Sequence, residues 1–316
     1  MCLACLKDCN RYFRHSDLSC RQPSNAGREA EALRLVHSLE KGLVMPPPRR
    51  RFGDEACARL GESLPAILPD SNLAWLVDYG NSVMNSVNVV NRSNGVHDGH
   101  NLRGGCIQLT REEILRSRPN DPEAFFRTRH SVRSFTGPPL TDHELMSLVE
   151  GAQTAPSVCN RQGARIRFYN EPNVKAEILS LQNGNRGFGH LIPTVAVISC
   201  DLRIFIGYGE RNQAWIDGGL FAMTLALVAH AQGLGTCFLN WSVVPERDRL
   251  LRQLLAIPDH EVIITLLGIG AIEERLFVAE SRRRPLQSVW LNAGEALPVS
   301  PHADQKQTPP EEVGIH

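Results

Sequence analysis

The chain has 316 residues, with 34 basic and 34 acidic side chains and 42% hydrophobic residues. That length exceeds what one hydrophobic core usually reaches, and the apolar share excludes a largely disordered chain, so one large domain with an addition is expected. A formal net charge of zero argues against a protein that wraps nucleic acid or lies on anionic lipid.

The opening residues Met1-Cys2-Leu3-Ala4-Cys5 run on to Lys7, Asp8 and Arg11 with no apolar stretch to serve as a secretion signal. A cytoplasmic protein is expected, its nine cysteines present as thiols or ligands. Residues 1–25 read as a cysteine-rich, polar and irregular segment. Cys2, Cys5, Cys9 and Cys20 leave two readings open. Thiolates at such spacing hold zinc or an iron–sulfur cluster, yet the pattern matches no standard cluster run. Incidental thiols are the favoured reading, and no metal site is assigned.

Residues 26–118 read as a helical extension broken by turns. Leu33, Val36, Leu39 and Leu43 recur at helical spacing, which marks the apolar face of a helix over residues 28–43. Pro46-Pro47-Pro48 ends it, because proline lacks the backbone donor a helix needs. A second helix is expected over residues 73–90. Residues 91–105 read as loop, where His97 and His100 lack a third metal ligand.

Residues 119–297 change to a regular mixture of helices and strands and are expected to form the main domain, followed by a flexible tail over 298–316. Thr141-Asp142-His143-Glu144 is a capping box leading into Leu145, Leu148 and Val149. Strands are expected at 165–169, 194–200 and 261–267, a helix at 174–181, and a flexible glycine-rich loop at 184–189. Residues 215–232 are apolar on nearly every side and are expected as a buried helix, closed by Gly233-Leu234-Gly235. The greasiest part of that helix, residues 220–231, falls short of the roughly 18–20 residues of a bilayer span, so no membrane span is expected.

Gly268-Ile269-Gly270 follows the third strand, but Glu273 occupies the next glycine position of a dinucleotide fingerprint, which is thereby excluded. The chemistry lies in Arg129-His130-Ser131-Val132-Arg133. Two guanidinium forks, an imidazole and a hydroxyl suit a phosphate monoester, whereas a solvated basic turn is the plain alternative. Four further motifs follow in order. They are Ala155-Pro156-Ser157-Val158-Cys159-Asn160-Arg161-Gln162, Asp217-Gly218-Gly219, Gly233-Leu234-Gly235-Thr236 and Arg282-Arg283-Arg284-Pro285.

This ordered set resembles the FMN-dependent nitroreductase superfamily over residues 121–293. The resemblance implies an α+β protein with a nitroreductase-like three-layer α-β-α fold and a central, mainly antiparallel sheet, preceded here by the helical N-terminal extension. It implies that Arg129, His130, Ser131 and Arg133 hold the FMN phosphate and ribityl chain, and that Arg282 and Arg284 return to the phosphate. Pro156, Ser157, Asn160 and Gln162 match the turn whose Asn amide contacts the flavin or ribityl. Asn240 and Trp241 fall where the family's loop passes the flavin ring with backbone N–H groups near N5. No catalytic side chain is expected, since the flavin carries the chemistry.

The implied activity passes a hydride from NAD(P)H, the co-substrate, through FMN to a small-molecule acceptor of nitro, quinone or enone type. The alternative is a flavin-binding accessory protein or a dedicated biosynthetic oxidase. The stretch His37-Ser38-Leu39-Glu40-Lys41-Gly42-Leu43 with Arg51-Phe52-Gly53 resembles an extension of a subgroup found near surface-polysaccharide genes. A homodimer with FMN in its seam is implied, with the 215–232 helix at the interface and Ala222, Ala226 and Ala229 allowing close approach. Two departures stand out. Gly163 replaces the family's usual Pro and is expected to loosen its loop, and Asn240 stands where an acid is frequent.

Overall fold

The computed structural model describes residues 2–16, 24–45, 51–67, 71–93, 102 and 104–290. They fall into two compact units, Met1–Val278 and Ala279–His316. The larger unit holds ten helices among the described residues: α1 (Cys2–His15), α2 (Asn25–Val44), α3 (Asp54–Ser63), α4 (Ala74–Arg92), α5 (Arg111–Arg116), α6 (Pro122–Thr128), α7 (Asp142–Ala152), α8 (Pro172–Ser180), α9 (Gln213–Ala231) and α10 (Pro245–Leu255). Its strands are β1 (Phe135–Thr136), β2 (Ala164–Tyr169), β3 (Thr194–Asp201), β4 (Leu234–Asn240) and β5 (Glu261–Ile272).

β5 is the axis of the sheet. β3 pairs with its residues 261–269 and β4 with residues 265–271, so the two flank it on opposite edges. β2 lies outside β3, β1 joins the far end of β5 at Phe135 and Ile272, and every strand pair is antiparallel. All residues of β3 are buried, which requires cover on both faces. Side-chain alternation supplies it. Val195 and Val197 pack with Ile178 and Leu179 of α8 and Leu251 of α10. Ala196 and Ile198 pack with Leu148 of α7 and Phe221 and Leu225 of α9. The result is the expected three-layer α-β-α arrangement.

Local chemistry sets the element ends. The Thr141–Glu144 capping box forms as expected at the start of α7. Gly218 lets α9 lie close on the sheet, since a Cβ there would stand 2.5 Å from the Ile264 side chain. β4 and α10 were not foreseen. Gly268 and Gly270 lie inside β5 instead of after a strand, and a Cβ on Gly270 would meet the Pro193 ring. The 184–189 loop, expected to be flexible, is fastened: Asn185 Nδ2 donates to the carbonyls of Leu179 and Gln182, and Phe188 is buried.

α9 also departs from expectation. Ala222, Ala226 and Ala229 face the chain's own core, whereas Trp215, Ile216, Leu220 and Met223 are exposed. By length and composition alone α9 passes as a bilayer span; its packing against β3, β4 and β5 accounts for its apolar inner face.

The extension has its own core. Leu33, Val36, Leu39 and Leu43 of α2 meet Leu60 of α3 and Leu76, Val83 and Val87 of α4. Ser24 caps α2 by accepting the Gly27 N–H. The 37–43 and 51–53 motifs form one structural clasp. Asn91 donates to the Phe52 carbonyl and accepts the Phe52 N–H, Gly42 leaves room for the Phe52 ring, and Gly53 turns the chain at φ 77°. Glu40 accepts the Tyr79 hydroxyl, and burial, then that bond, pushes the tyrosine pKa up to about 12.

Residues 2–15, expected to be irregular, form α1, whose last turn carries Arg14 and His15, favourable at a helix C-terminus. Arg11 and His15 both bond Asp259, and Tyr12 donates to the Gly207 carbonyl. Pro46, Pro47, Pro48, Cys20, His97, His100 and the 298–316 tail lie outside the described residues. Among the described residues no group of three His, Cys, Asp or Glu side chains is placed to hold a metal. In the smaller unit, a 3₁₀ turn spans Leu286–Ser288 and Arg282 pairs with Glu280.

Candidate active site

Four of the five motifs meet in pairs. In the first pair, the 129–133 segment lies along the start of β4. Val132 N–H donates to the Thr236 carbonyl at 2.9 Å, and Ser131 bridges Thr236 in parallel. The glycines of the fourth motif explain the contact. Gly233 ends α9 at φ 76°, and Gly235 leaves the space that Val132 fills, since a Cβ there would stand 2.9 Å from Val132 Cγ2. α6 leads into the segment, and His230 of α9 holds that helix by donating from Nε2 to the Phe125 carbonyl at 2.9 Å. Arg129, His130 and Ser131 are half-buried and Arg133 is exposed. The Arg133 guanidinium stands 5.8 Å over the Phe188 ring, which is why the fastened 184–189 loop matters here.

In the second pair, the 155–162 turn is held by the opening of α9. The buried Asp217 carboxylate accepts the Val158 N–H at 3.2 Å and the Gln213 side-chain amide at 2.8 Å. Cys159, Asn160 and Gln162 have φ of 48°, 52° and 51°. Three non-glycine residues in the left-handed region within four positions are a strained turn that its surroundings must enforce. Ser157 Oγ accepts the Gln162 N–H at 3.0 Å. Pro156, Asn160 and Gln162 are exposed and Ser157 is half-buried.

Sequence reasoning missed Arg161. Its side chain is fully buried, and it donates to the Ile204 carbonyl at 2.7 Å and to the Glu210 carboxylate, with its guanidinium 5.6 Å over the Phe205 ring. Burial works against ionised Glu210, but the Arg161 bonds and the Ile206 and Gly207 N–H groups outweigh it and hold the carboxyl below its ordinary range. The only hint in the sequence is an arginine inside an otherwise polar turn. Gly163 is a correction: it does not loosen the loop. It is buried, and a Cβ there would stand 2.4 Å from the Ile204 side chain.

Asn240 and Trp241 close β4. The buried Gln182 donates to the Asn240 carbonyl at 3.0 Å, and the Trp241 indole donates to Asp248 at 3.0 Å. Both bonds fix the chain path and leave the Asn240 side chain exposed. The fifth motif, with Arg282 and Arg284, lies in the smaller unit, and both arginines are exposed.

The two pairs occupy opposite ends of the sheet. Thr236 faces Ile269 of β5, and Ala164 connects through Cys200 to Val262. From Val262 to Ile269, at about 3.3 Å per residue, the two lie about 23 Å apart along the strand. A cavity of about 210 Å³ adjoins the second pair, below the roughly 300–1,000 Å³ of a complete small-molecule site.

The sequence model of the Nitroreductase family matches residues 126–185 and 168–271. Over these residues the chain is similar to the nitroreductase family. Among its relatives is the FMN reductase (NADPH) of Bacillus subtilis, 27% identical over 175 residues, which cover 51% of this chain and 68% of that one. Another is the NADH dehydrogenase of Thermus thermophilus, 28% identical over 197 residues, covering 52% of this chain and 91% of that one. The solved structure of the NfrA1 nitroreductase of Bacillus subtilis is 24% identical, with a TM-score of 0.47 over 54% of this chain and 72% of that one. The nitroreductase match begins at residue 126, so α1 to α5 lie outside it.

Proposed function

We propose that the chain is an FMN-dependent NAD(P)H oxidoreductase that passes a hydride to an organic acceptor of nitro, quinone or enone type, working as a cytoplasmic homodimer. The observation that carries this reading is the pair of half-sites at opposite ends of β5. The name of the Bacillus subtilis relative, FMN reductase (NADPH), supports the same cofactor and reductant. Among the described residues six cysteines stand as free thiols, Cys200 and Cys237 buried among them, which suits a reducing compartment.

The residues present fit the cofactor. Arg129 and Arg133 have no carboxylate partner among the described residues, so both charges are available to a phosphate dianion, and the Ser131 hydroxyl adds a neutral donor. His130 belongs to the same segment, and Arg282 and Arg284 are assigned to the phosphate through the family motif. At the other half-site, Asn160 offers its amide from a backbone that Asp217 holds in place, with Pro156, Ser157 and Gln162 around it. Asn240 and Trp241 present backbone N–H groups on a path fixed by Gln182 and Asp248. Bound FMN supplies the hydride-carrying chemistry, and the protein binds it, orients it and excludes water.

Half-sites about 23 Å apart along one strand are completed by a second copy of the chain, its 155–162 turn brought to the first copy's 129–133 segment. The exposed apolar stripe of Trp215, Ile216, Leu220 and Met223 on α9 supports that assembly. The test is release of bound cofactor from purified protein by heat, with its spectrum and mass. FMN at one per chain supports the reading; protein that is colourless and does not take up added FMN overturns it.

A further inference from the structure

We propose that α2 and α4 of the N-terminal extension form one wall of an acceptor subsite, and that Trp75 selects flat aromatic acceptors bearing hydrogen-bonding substituents. The inference rests on the assignment of the 155–162 turn to the flavin.

The cavity beside that turn is lined on one side by Ser157, Gln162 and Arg165 and on the other by Glu29, Leu33 and Trp75. The second set comes from the extension, which the family match does not reach. Its docking is built into the fold: α2 packs on the 3₁₀ turns Val158–Asn160 and Leu202–Ile204, and Ala30 shares a core with Ile204 and Phe205.

The chemistry of the lining names the ligand class. Leu33 is buried, while Trp75 lines the cavity with 48% of its surface open, which leaves an indole face for a flat ring. An apolar cavity of about 150 Å³ holds benzene, so about 210 Å³ has room for one or two fused rings. The rim supplies a carboxylate from Glu29 to accept hydroxyl or amine protons. Arg165 supplies a guanidinium to donate to carbonyl or nitro oxygens, and its Nη1 is anchored on the carbonyls of Gln162 and Ala164 at 2.9 Å. A long aliphatic acceptor would leave the exposed indole face uncovered.

Two readouts on the full-length protein test this. Calorimetric titration with 1-naphthol, a flat aromatic alcohol, reads the subsite without turnover. Trp75→Ala should weaken 1-naphthol binding about tenfold, the loss of one aromatic contact and its buried area. Trp75→Phe should restore most of it, and flavin content per chain should stay at the wild-type level. In turnover, the ratio of kcat/KM for 1,4-naphthoquinone to that for ferricyanide should fall about tenfold in Trp75→Ala and recover in Trp75→Phe. Flavin-loaded variants that bind 1-naphthol normally, or that lose both acceptors equally, overturn the subsite and leave the functional reading intact. A wild-type chain without flavin overturns both.

Discussion

The Asp217 carboxylate accepts the backbone N–H of Val158 at 3.2 Å, across 59 positions of the chain. This bond joins the opening of α9 to the one turn in which Cys159, Asn160 and Gln162 all take left-handed backbone angles. Strain of that kind persists only where surrounding structure enforces it. Asp217→Ala should therefore lower unfolding stability by about 1.5–3 kcal/mol, the value of a hydrogen bond to a charged group. FMN affinity should fall with it, because the turn carrying Asn160 relaxes. Urea unfolding and flavin titration read the two effects, and wild-type values for both would show that the turn holds its own shape.

The phosphate assignment predicts a selective loss. Arg129→Ala and Arg133→Ala should each weaken FMN binding by about 1.5–3 kcal/mol, one charge-assisted contact apiece. Riboflavin, which lacks the phosphate, should bind these variants nearly as well as it binds the wild type. Fluorescence titration of apoprotein with both ligands decides the matter; equal losses would assign the arginines to folding.

Assembly is tested on the exposed stripe of α9. Leu220 is 42% exposed in the single chain, so Leu220→Glu should leave the fold intact while placing a carboxylate in a dry dimer seam, a cost of several kcal/mol. Sedimentation should show monomer, and flavin should be lost with the dimer. Ala226→Glu is no probe of the seam, because Ala226 lies in the chain's own core, where a buried carboxylate should destabilise the fold itself. A Leu220→Glu monomer that keeps its flavin would contradict the shared site.

The Arg161–Glu210 pair predicts a pH dependence. Glu210 has a folded pKa below its ordinary 4.5. Its stabilisation is therefore complete above that value and is lost as pH falls through the lower folded value. Near neutral pH, Glu210→Gln should cost about 3 kcal/mol by leaving buried Arg161 without its counter-charge. The gap between variant and wild type should close in acid. Urea midpoints measured from neutral pH down past the carboxylate range test this, and a constant gap would deny the pair its ionic character.

Elements whose pattern is local were legible in the sequence. The capping box at Thr141 and Glu144, the helical spacing of Leu33, Val36, Leu39 and Leu43, and the β-branched run in β3 each depend on neighbours within a few residues. β4 was not legible, because Gly235-Thr236-Cys237 continues a glycine-rich helix stop and its register comes only from β5. α1 does carry an apolar period, at Cys5, Cys9 and Tyr12, but its cysteines point to an irregular segment, and its distant partners Asp259 and Gly207 are invisible in the sequence. In the site, the motif residues were visible but their pairing was not. That Asp217 clamps Val158, or that Gly235 makes room for Val132, depends on contacts across the fold. For α9, uniform greasiness concealed which face meets the core and which is left open, since an all-apolar helix has no periodicity to read.

The central claim, a flavin that takes its electrons from a nicotinamide, is tested most directly by anaerobic titration of the purified protein with NADPH and with NADH, followed in the flavin's visible band. The account predicts that at least one nucleotide bleaches the band with one equivalent per flavin, and that a quinone acceptor restores it. A bound flavin left oxidised by an excess of both nucleotides would contradict the account and make the chain a flavin-binding protein without this activity.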